Sequence, residues 1–297
     1  MTNNKETDIK SLYTKIPILT CPDNVTLPVP PELTAEQKEK FSKVKEYVDS
    51  ILLPKEDDRY QEEKNWASDA CLKRNLRAAK WNLTDAKNRI KYSLEWRREY
   101  KPLDIDPKTV EAEAVTGKQH LNGFDNNGRP IFYLRPGLEN TLPGPDQLRF
   151  VIFNFESAIK IMPDNVENIV IIIDFNKCTA RSSPGLGVAK EFMHTLSSHY
   201  PERLGYSLII NAPWYFWGFF KLLSPFIDPV TKNKIKFVDI HNPDKAVQNA
   251  QWVNCLDFIN ENQLESEYGG SNAFEYHHET YWKTLCERIG KSPNKVY

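Results

Sequence analysis

A glycine pair after an apolar strand is a sequence feature that could bind a nucleotide cofactor. Gly185 and Gly187 begin the segment Gly-Leu-Gly-Val-Ala-Lys, which partly matches a dinucleotide-binding fingerprint. Lys190 stands where the third glycine is needed, and the glycines follow the strand only after about ten residues. A nucleotide-dependent oxidoreductase that uses the Gly185 to Gly187 loop is therefore an alternative function, and a plain loop with a helix start is the other interpretation.

Groupings typical of hydrolytic or metal chemistry are absent from the sequence. No Gly-x-Ser-x-Gly elbow is present, and the 5 cysteines are widely spaced without a Cys-x-x-Cys pair. His194 and His199 are five residues apart and would lie on different faces of a helix. We expect no catalytic residue, no metal and no cofactor. The unpaired cysteines and a polar N-terminus without an apolar run predict an intracellular protein.

A threonine followed by lysines could bind an anion. Lys232, Lys234 and Lys236 alternate after Thr231 and would share one side of an extended chain. A lysine ammonium supplies a mobile charge and a threonine hydroxyl supplies a hydrogen bond, both of which suit a phosphate. The alternative interpretation is a solvated strand end.

The segment before these lysines is rich in aromatic residues. Between Pro213 and Pro225 its only charge is Lys221. About eleven helical positions would extend about 16 Å, too short for a hydrocarbon core of ~30 Å. Such a helix is either buried in the protein or dips into a membrane interface, where Trp and Tyr are favoured. Its aromatic and apolar residues include Trp214, Tyr215, Phe216, Trp217, Phe219, Phe220 and Leu223.

Whole-chain composition limits the partners. The 297 residues carry 39 Lys+Arg and 40 Asp+Glu, a net charge of -1, which is unlike a basic nucleic-acid-binding protein. We therefore expect no nucleic-acid partner. Between residues 73 and 98 the basic residues outnumber Asp85 and Glu95, a local excess that would attract an anionic membrane or simply be solvated. These basic residues are Lys73, Arg74, Arg77, Lys80, Lys87, Arg89, Lys91, Arg97 and Arg98.

The elements that position these residues begin with an all-helical region. Residues 1–33 are polar and proline-punctuated, which predicts an extended arm rather than a packed element. Thr34 and Gln37 form a capping box, and Pro102 would end the last helix. The pattern predicts a region at residues 34–112, with helices at about 34–53, 66–80 and 84–100.

From residue 113 to 297 strands and helices alternate. The β-branched run Ile169–Asp174 is typical of a strand that is buried on both faces. Alternation of this kind predicts right-handed crossovers and an α/β domain with a mostly parallel sheet. The predicted strands are 130–134, 169–174, 206–211 and 235–239, and the predicted helices are 148–162, 187–199, 214–223 and 244–262.

Several segments between residues 66 and 270 match one known family in order and spacing. They are Leu-Arg-Ala-Ala-Lys-Trp at 76–81, Trp-Arg-Arg at 96–98, the turn at 125–130, His-Tyr-Pro-Glu-Arg-Leu-Gly at 199–205, Ile-Ile-Asn-Ala-Pro-Trp at 209–214, Pro-Phe-Ile-Asp-Pro-Val-Thr at 225–231 and Glu-Tyr-Gly-Gly at 267–270. Together they resemble the CRAL-TRIO lipid-transfer domain, in particular fungal phosphatidylinositol-transfer proteins.

The resemblance implies a carrier that is not an enzyme. It would enclose one phosphatidylinositol molecule in an apolar cavity floored by the sheet and gated by a mobile helix at 214–225, with the phospholipid as ligand rather than a cofactor. The headgroup site carries over to Glu202, Thr231 and Lys234, with Arg203 beside them.

The resemblance leaves the second ligand open. Ala79 stands where the family pattern has an arginine, so that Lys80 or Arg77 compensates or the headgroup contacts differ. A second lipid or a sterol is the other cargo to consider. The location implied is cytoplasmic, with transient visits to a membrane surface.

Overall fold

The computed structural model describes residues 13–179, 186–242 and 252–291, without the side chains of Leu186 and Phe219. The chain divides into two compact units. The sheet unit comprises Met1–Pro28, Leu103–Lys190 and Leu204–Tyr297, and the helical unit comprises Val29–Pro102 and Glu191–Arg203.

The helical unit is built on the amphipathic helices that the sequence predicts. Thr34 begins the first helix as expected, because its hydroxyl accepts the N–H of Gln37 at 3.2 Å while the Gln37 amide oxygen accepts the N–H of Thr34 at 3.1 Å. Trp66 ends an additional short helix instead of beginning one, and Ser68 caps the next. The helices are α1 (Ala35–Ile51), α2 (Tyr60–Trp66), α3 (Asp69–Ala78) and α4 (Leu83–Tyr100), and their buried core includes Val44, Val48, Leu72, Leu76, Ile90 and Leu94.

The sheet unit contains a five-stranded sheet in the order β1-β2-β3-β4-β5. The first two strands pair antiparallel and the others pair parallel, which confirms the predicted α/β class with a mostly parallel sheet. The strands are β1 (Gln119–Phe124), β2 (Pro130–Leu134), β3 (Ile169–Asp174), β4 (Leu204–Ile210) and β5 (Ile235–Val238). The later helices are α5 (Pro107–Ala114), α6 (Pro145–Ile161), α7 (Leu186–His199), α8 (Phe216–Leu223), α9 (Pro229–Asn233) and α10 (His278–Arg288).

The turn before β2 is closed by the side chain of Asp125. Its carboxylate accepts the N–H groups of Asn127 at 2.9 Å and Arg129 at 2.8 Å. Gly128 follows with φ +74, in the left-handed region that favours glycine. The sequence signal for a strand-opening turn is therefore confirmed.

One face of the sheet, the closed face, is covered by the C-terminal segment. Residues 252–262 were predicted to be helical, and this is wrong, since they hold only a 3-10 turn at Cys255–Asp257. Val253 N–H donates to Phe237 O at 2.9 Å, so the chain pairs with the sheet edge and forgoes helical hydrogen bonds. The rest of the predicted helix, residues 243–251, lies outside the described residues. The closed-face core comprises Ile131, Tyr133, Val170, Ile172, Tyr206, Leu208, Ile210, Val238, Cys255, Ile259, Leu264 and Tyr268.

The described part of the N-terminal arm, residues 13–28, is a packed element. Ile18 O accepts the N–H of Gly123 at 2.9 Å, and the Asn122 side chain accepts the N–H of Ile18 at 2.9 Å. Leu19 is buried. The arm is extended, but it packs along β1, and the prediction that it lies outside the packed core is wrong for these residues.

Candidate functional site

The second face of the sheet is incompletely covered at its centre. Ile171 and Ile173 in β3 are only half-buried, whereas Val170 and Ile172 on the closed face are fully buried. The prediction that this strand is buried on both faces is therefore wrong for one of them. We call this second surface the open face; its side chains are Phe132, Ile171, Ile173, Ser207, Ile209, Ile235 and Phe237.

Two helices flank the open face. On one side Phe155 of α6 meets Phe132 edge-on, with 5.8 Å between ring centroids. On the other side Trp217 of α8 packs on Phe237 at 4.7 Å between centroids, and Phe216 also contacts that ring. In strand order the half-buried residues of β3 fall between these two contacts. An apolar surface left uncovered at the centre of a sheet is typical of a ligand-binding surface.

Helix α8 is the core of the aromatic segment, and its eight residues extend about 12 Å. Phe216 and Leu223 are buried, whereas Trp217 is 44% exposed and Leu222 is 61% exposed; Trp214, which precedes the helix, is 87% exposed. The interpretation as a wholly buried helix is therefore wrong: one face packs on the sheet and the other faces solvent. Tyr215 precedes the helix and donates its hydroxyl hydrogen bond to Cys178 O at 3.2 Å. Phe220 stacks on Phe216, and the side chain of Phe219 lies outside the described residues.

Thr231 and Lys234 are held in a single turn. Asp228 caps α9 by accepting the N–H groups of Val230 at 2.9 Å and Thr231 at 3.0 Å. Burial raises the pKa of the Asp228 carboxyl, but hydrogen bonds from Thr231 and Val230 and the charge of Lys234 outweigh it and lower the pKa. The Lys234 N–H donates to Thr231 O at 3.0 Å. Because the chain is helical here, the predicted extended segment with its lysines on one side is wrong.

Lys234 is hydrogen-bonded to the beginning of β4. Its Nζ donates to Leu204 O at 2.8 Å, and its backbone carbonyl accepts the N–H of Ser207 at 2.9 Å. Both Thr231 and Lys234 are half-buried. A threonine hydroxyl and an ammonium group therefore lie in the turn that precedes β5, where they could bind a phosphate.

Glu202 and Arg203 lie in the helical unit, in a turn that follows α7. The Arg203 N–H donates to Tyr200 O at 3.3 Å, and Glu202 has φ +58. That left-handed conformation favours glycine and is strained for glutamate. Both side chains are half-buried. Leu204, whose carbonyl oxygen accepts a hydrogen bond from Lys234 Nζ, directly follows Arg203 in the chain.

Of the nine basic residues at 73–98, two are buried and a third is held in an ion pair with the buried Glu63. Arg74 and Arg97 are buried, and Arg98 forms an ion pair with Glu63 and donates to Ile51 O at 2.9 Å. Hydrogen bonding to Glu63 raises the pKa of Arg98. The expectation of electrostatic attraction to an anionic membrane therefore loses a third of the residues on which it rests.

A buried polar cluster on the closed face contains residue types that catalytic sites use. His120 Nε2 lies 2.8 Å from Glu265 Oε1, and Arg135 pairs with the other carboxylate oxygen. Burial raises the pKa of Glu265, but His120, Arg135 and Asn122 outweigh it and lower the pKa. Arg135 neutralises the Glu265 carboxylate, and the hydrogen bonds of the cluster join β1 and β2 to the C-terminal segment, which is a structural role.

The alternative nucleotide site is only partly within the described residues. Gly187 lies in the first turn of α7, and Gly185 lies outside the described residues. Among residues 13–179, 186–242 and 252–291, no three His, Cys, Asp or Glu side chains are grouped as metal ligands would be. Within the same ranges, no helix combines the length and apolarity that crossing a bilayer requires.

Comparisons with known proteins give consistent matches. The models of the CRAL/TRIO domain and of the CRAL/TRIO N-terminal domain match residues 114–270 and 38–91. A CRAL-TRIO domain-containing protein of Schizosaccharomyces pombe is 42% identical over 263 residues, which cover 86% of this chain and 25% of that protein. The phosphatidylinositol transfer protein PDR17 of Saccharomyces cerevisiae is 35% identical over 239 residues, covering 76% and 64%.

Among solved structures, the crystal structure of Sfh5 matches with a TM-score of 0.60 at 18% identity, covering 85% of this chain and 93% of that one. At that identity the match shows the fold alone. The chain spans a quarter of the first relative and less than two thirds of the second.

Proposed function

Because the chain belongs to the CRAL/TRIO domain family, we propose that it binds phosphatidylinositol and transfers it between membranes, enclosing one lipid over the open face beneath α8. Family membership confirms the resemblance carried by the sequence motifs, and it supports a lipid carrier that is not an enzyme. The lipid itself is the ligand in this proposal, and no cofactor is needed.

The half-burial of Ile171 and Ile173 is the observation that carries the proposal. A central strand of a mostly parallel sheet normally has both faces covered. Here the closed face is complete and the open face is not, although all of its β3 side chains are apolar. Acyl chains laid over these isoleucines would complete the core of the sheet unit.

A gate made of an apolar helix suits the energetics of lipid exchange. Each methylene moved from a bilayer into water costs about 0.8 kcal/mol, so a two-chain lipid must pass directly from one apolar environment to another. Helix α8 contacts the open face through Phe216 and Phe220 and presents Leu222 outward, and Trp214 is exposed just before the helix begins. A helix that is apolar on both faces can exchange the sheet for a bilayer interface at modest cost.

For the headgroup we propose Glu202, Thr231 and Lys234, with Arg203 adjacent. The ammonium and the threonine hydroxyl would bind the phosphate, and the glutamate would accept hydrogen bonds from inositol hydroxyls. The support is the motif match together with the Thr231–Lys234 turn, the strained backbone of Glu202 and the position of Leu204 next to Arg203 in the chain.

A second lipid or a sterol is the alternative cargo. Ala79 is buried in the core of the helical unit, and its methyl group cannot supply the charge of the arginine that the family pattern has there. We propose that the protein acts in the cytoplasm and touches membranes transiently through the exposed residues of the aromatic segment, which are Trp214 before α8 and Trp217 and Leu222 within it.

The experiment that tests the function is transfer of labelled phosphatidylinositol between donor and acceptor vesicles by the full chain, together with native mass spectrometry of protein purified from cells. We expect protein-dependent transfer and a co-purified phosphatidylinositol of 1:1 stoichiometry. A co-purified sterol with no phosphatidylinositol transfer would support the alternative cargo. A bound dinucleotide would instead support the oxidoreductase that uses the Gly185 to Gly187 loop.

A further inference from the structure

Ser207 presents a buried hydroxyl without a hydrogen-bond partner to the open face. The residue is 5% exposed, and its Oγ has no hydrogen-bond partner among the donors and acceptors of residues 13–179, 186–242 and 252–291. In the sheet it is flanked by Ile171 of β3 and Ile235 of β5. Burying a hydroxyl unpaired among apolar side chains is unfavourable unless something else satisfies it.

Two other buried serines show the usual arrangement. Ser157 Oγ donates to Phe153 O at 2.7 Å, and Ser93 Oγ donates to Ser198 O at 3.2 Å. Both lie on helices, where a carbonyl is within reach. Ser207 lies within a strand whose carbonyls are used by the ladder, and the register of β4 with β3 and β5 places its side chain on the open face.

The position of Ser207 relative to Lys234 indicates which chemical group of a bound ligand would pair with the serine hydroxyl. The Ser207 N–H donates to Lys234 O, and Lys234 Nζ bonds to Leu204 O three residues earlier on the same strand. Neighbouring strands are about 4.8 Å apart. Ser207 therefore lies one strand away from Lys234, on the side of the apolar centre of the open face.

We propose that Ser207 Oγ donates a hydrogen bond to an ester carbonyl of the bound glycerophospholipid. This inference rests on the proposed function, with the phosphate at Thr231 and Lys234. In a diacyl phospholipid the ester carbonyls lie a few bonds from the phosphate, and everything beyond them is hydrocarbon. The Lys234 ammonium, the Ser207 hydroxyl and the isoleucines of β3 follow one another in the same order as the phosphate, the ester carbonyls and the acyl chains of the lipid. A sterol has one hydroxyl and no phosphate, so it would leave Lys234 unused.

The test compares diacyl phosphatidylinositol with its dialkyl ether analogue of equal chain length, which lacks both carbonyls. We expect the wild-type protein to bind the diester about fivefold more tightly, as one neutral hydrogen bond would give. Ser207→Ala should bind both lipids equally, while Ser207→Thr, which keeps a hydroxyl, should retain the preference. Ser157→Ala is the matched control and should also retain it, since its hydroxyl is already paired.

A second readout separates ligand contact from structure. Ser207→Ala removes an unpaired buried hydroxyl, so the lipid-free variant should unfold at a higher temperature than the wild type and gain less from added diester lipid. If Ser207→Ala does not fold, Ser207→Cys, of similar volume and weak as a donor, carries the same expectation.

Each outcome is decisive. Equal binding of diester and ether lipids by the wild type, or an unchanged preference in Ser207→Ala, would overturn the role of Ser207 and leave the transfer function standing. Failure of the wild type to bind either phosphatidylinositol would overturn the proposed function itself.

Discussion

Lys234 and Leu204 are joined by a hydrogen bond from the lysine Nζ to the leucine carbonyl oxygen, at 2.8 Å. The bond ties the turn after the aromatic segment to the start of β4. An ammonium group has three N–H donors, so one bond to a carbonyl leaves capacity for an anion while it holds the side chain in place. Lys234 is thereby oriented before any ligand arrives.

Replacement of Lys234 by alanine should abolish phosphatidylinositol transfer, to less than a tenth of the wild-type rate, because the phosphate loses its fixed charge. The matched control is Lys232→Ala: that lysine is exposed and bonds to Ser224 Oγ at 2.6 Å. Its transfer rate should stay within twofold of wild type. Vesicle transfer assays and circular dichroism measure both variants, and equal transfer by the two would exclude Lys234 from the headgroup site.

Substitutions of Glu202 should affect the stability of the protein and its affinity for phosphatidylinositol differently. Because its φ is +58, Glu202→Gly should unfold with a free energy about 1 kcal/mol higher than Glu202→Ala, which keeps the strain. Both variants should lose affinity for phosphatidylinositol to the same extent, since both lack the carboxylate. Urea denaturation and lipid titration provide the two measurements. If Glu202→Ala were as stable as Glu202→Gly, the strain would have no energetic consequence.

His199 should make the helical unit less stable in mild acid. It stacks on Trp96 with 4.2 Å between ring centroids, and burial, with the charges of His194 and Arg97, lowers its pKa from 6.5 to about 4. The unfolded chain binds a proton near pH 6.5 and the folded chain only near pH 4. Stability should therefore fall as the pH drops through this window, by on the order of 2 kcal/mol, and level off below it.

Urea unfolding at pH 7 and pH 5 tests the role of His199. His199→Phe, which can stack on Trp96 but does not titrate, should lose much of the difference between the two pH values. The control His194→Gln, at an exposed position, should keep most of it. An unchanged difference in His199→Phe would assign the acid sensitivity to carboxylates instead.

The inner face of α8 should control lipid release. Phe216 is buried and packs on Phe175 at 5.0 Å and on Phe237 at 6.2 Å between ring centroids. Truncation of a buried phenylalanine costs about 3 kcal/mol, so Phe216→Ala should loosen the helix and raise the rate of lipid release by tenfold or more. Stopped-flow fluorescence of a labelled phosphatidylinositol measures this rate. A release rate equal to that of the wild type would mean that α8 is not the gate.

The exposed tryptophan just before α8, Trp214, should control membrane contact. Trp214→Ala removes a side chain that is 87% exposed, so the stability of the protein and its lipid release rate should not change. Binding to vesicles, measured by flotation, should fall several-fold, because tryptophan is favoured at a bilayer interface. Val29→Ala, at a residue that is 89% exposed in the helical unit, is the control and should bind vesicles as the wild type does. Unimpaired flotation of Trp214→Ala would exclude this contact.

Much of the fold could be predicted because its signals are local. The capping box at Thr34, the β-branched run of β3 and the turn at Asp125 each involve residues close together in sequence, and each is confirmed. The helical pattern at 252–262 was misleading, because Val253 bonds to Phe237 in a strand that is distant along the chain. Local propensity cannot register such a competitor.

The candidate site divides in the same way. The motif match singled out Lys234 and Thr231, but the lysine spacing wrongly predicted an extended chain where Asp228 caps a helical turn. Ser207 was not singled out; the available signal was a hydroxyl residue within the apolar strand Leu204–Ile210. A serine in a strand becomes informative only when its neighbours across the sheet are known.

The sequence by itself determined the approximate positions of strands β2 to β5, the α/β class, the family and the aromatic segment, because periodicity and motifs depend on neighbours in the chain. Tertiary structure alone decided that one face of β3 is covered and the other open, and that α8 is apolar both toward the sheet and toward solvent. It also decided that the Ser207 N–H bonds to Lys234 O while the Ser207 hydroxyl has no hydrogen-bond partner among the described residues. These properties depend on how completely residues distant in sequence cover and hydrogen-bond one another, and only packing determines that.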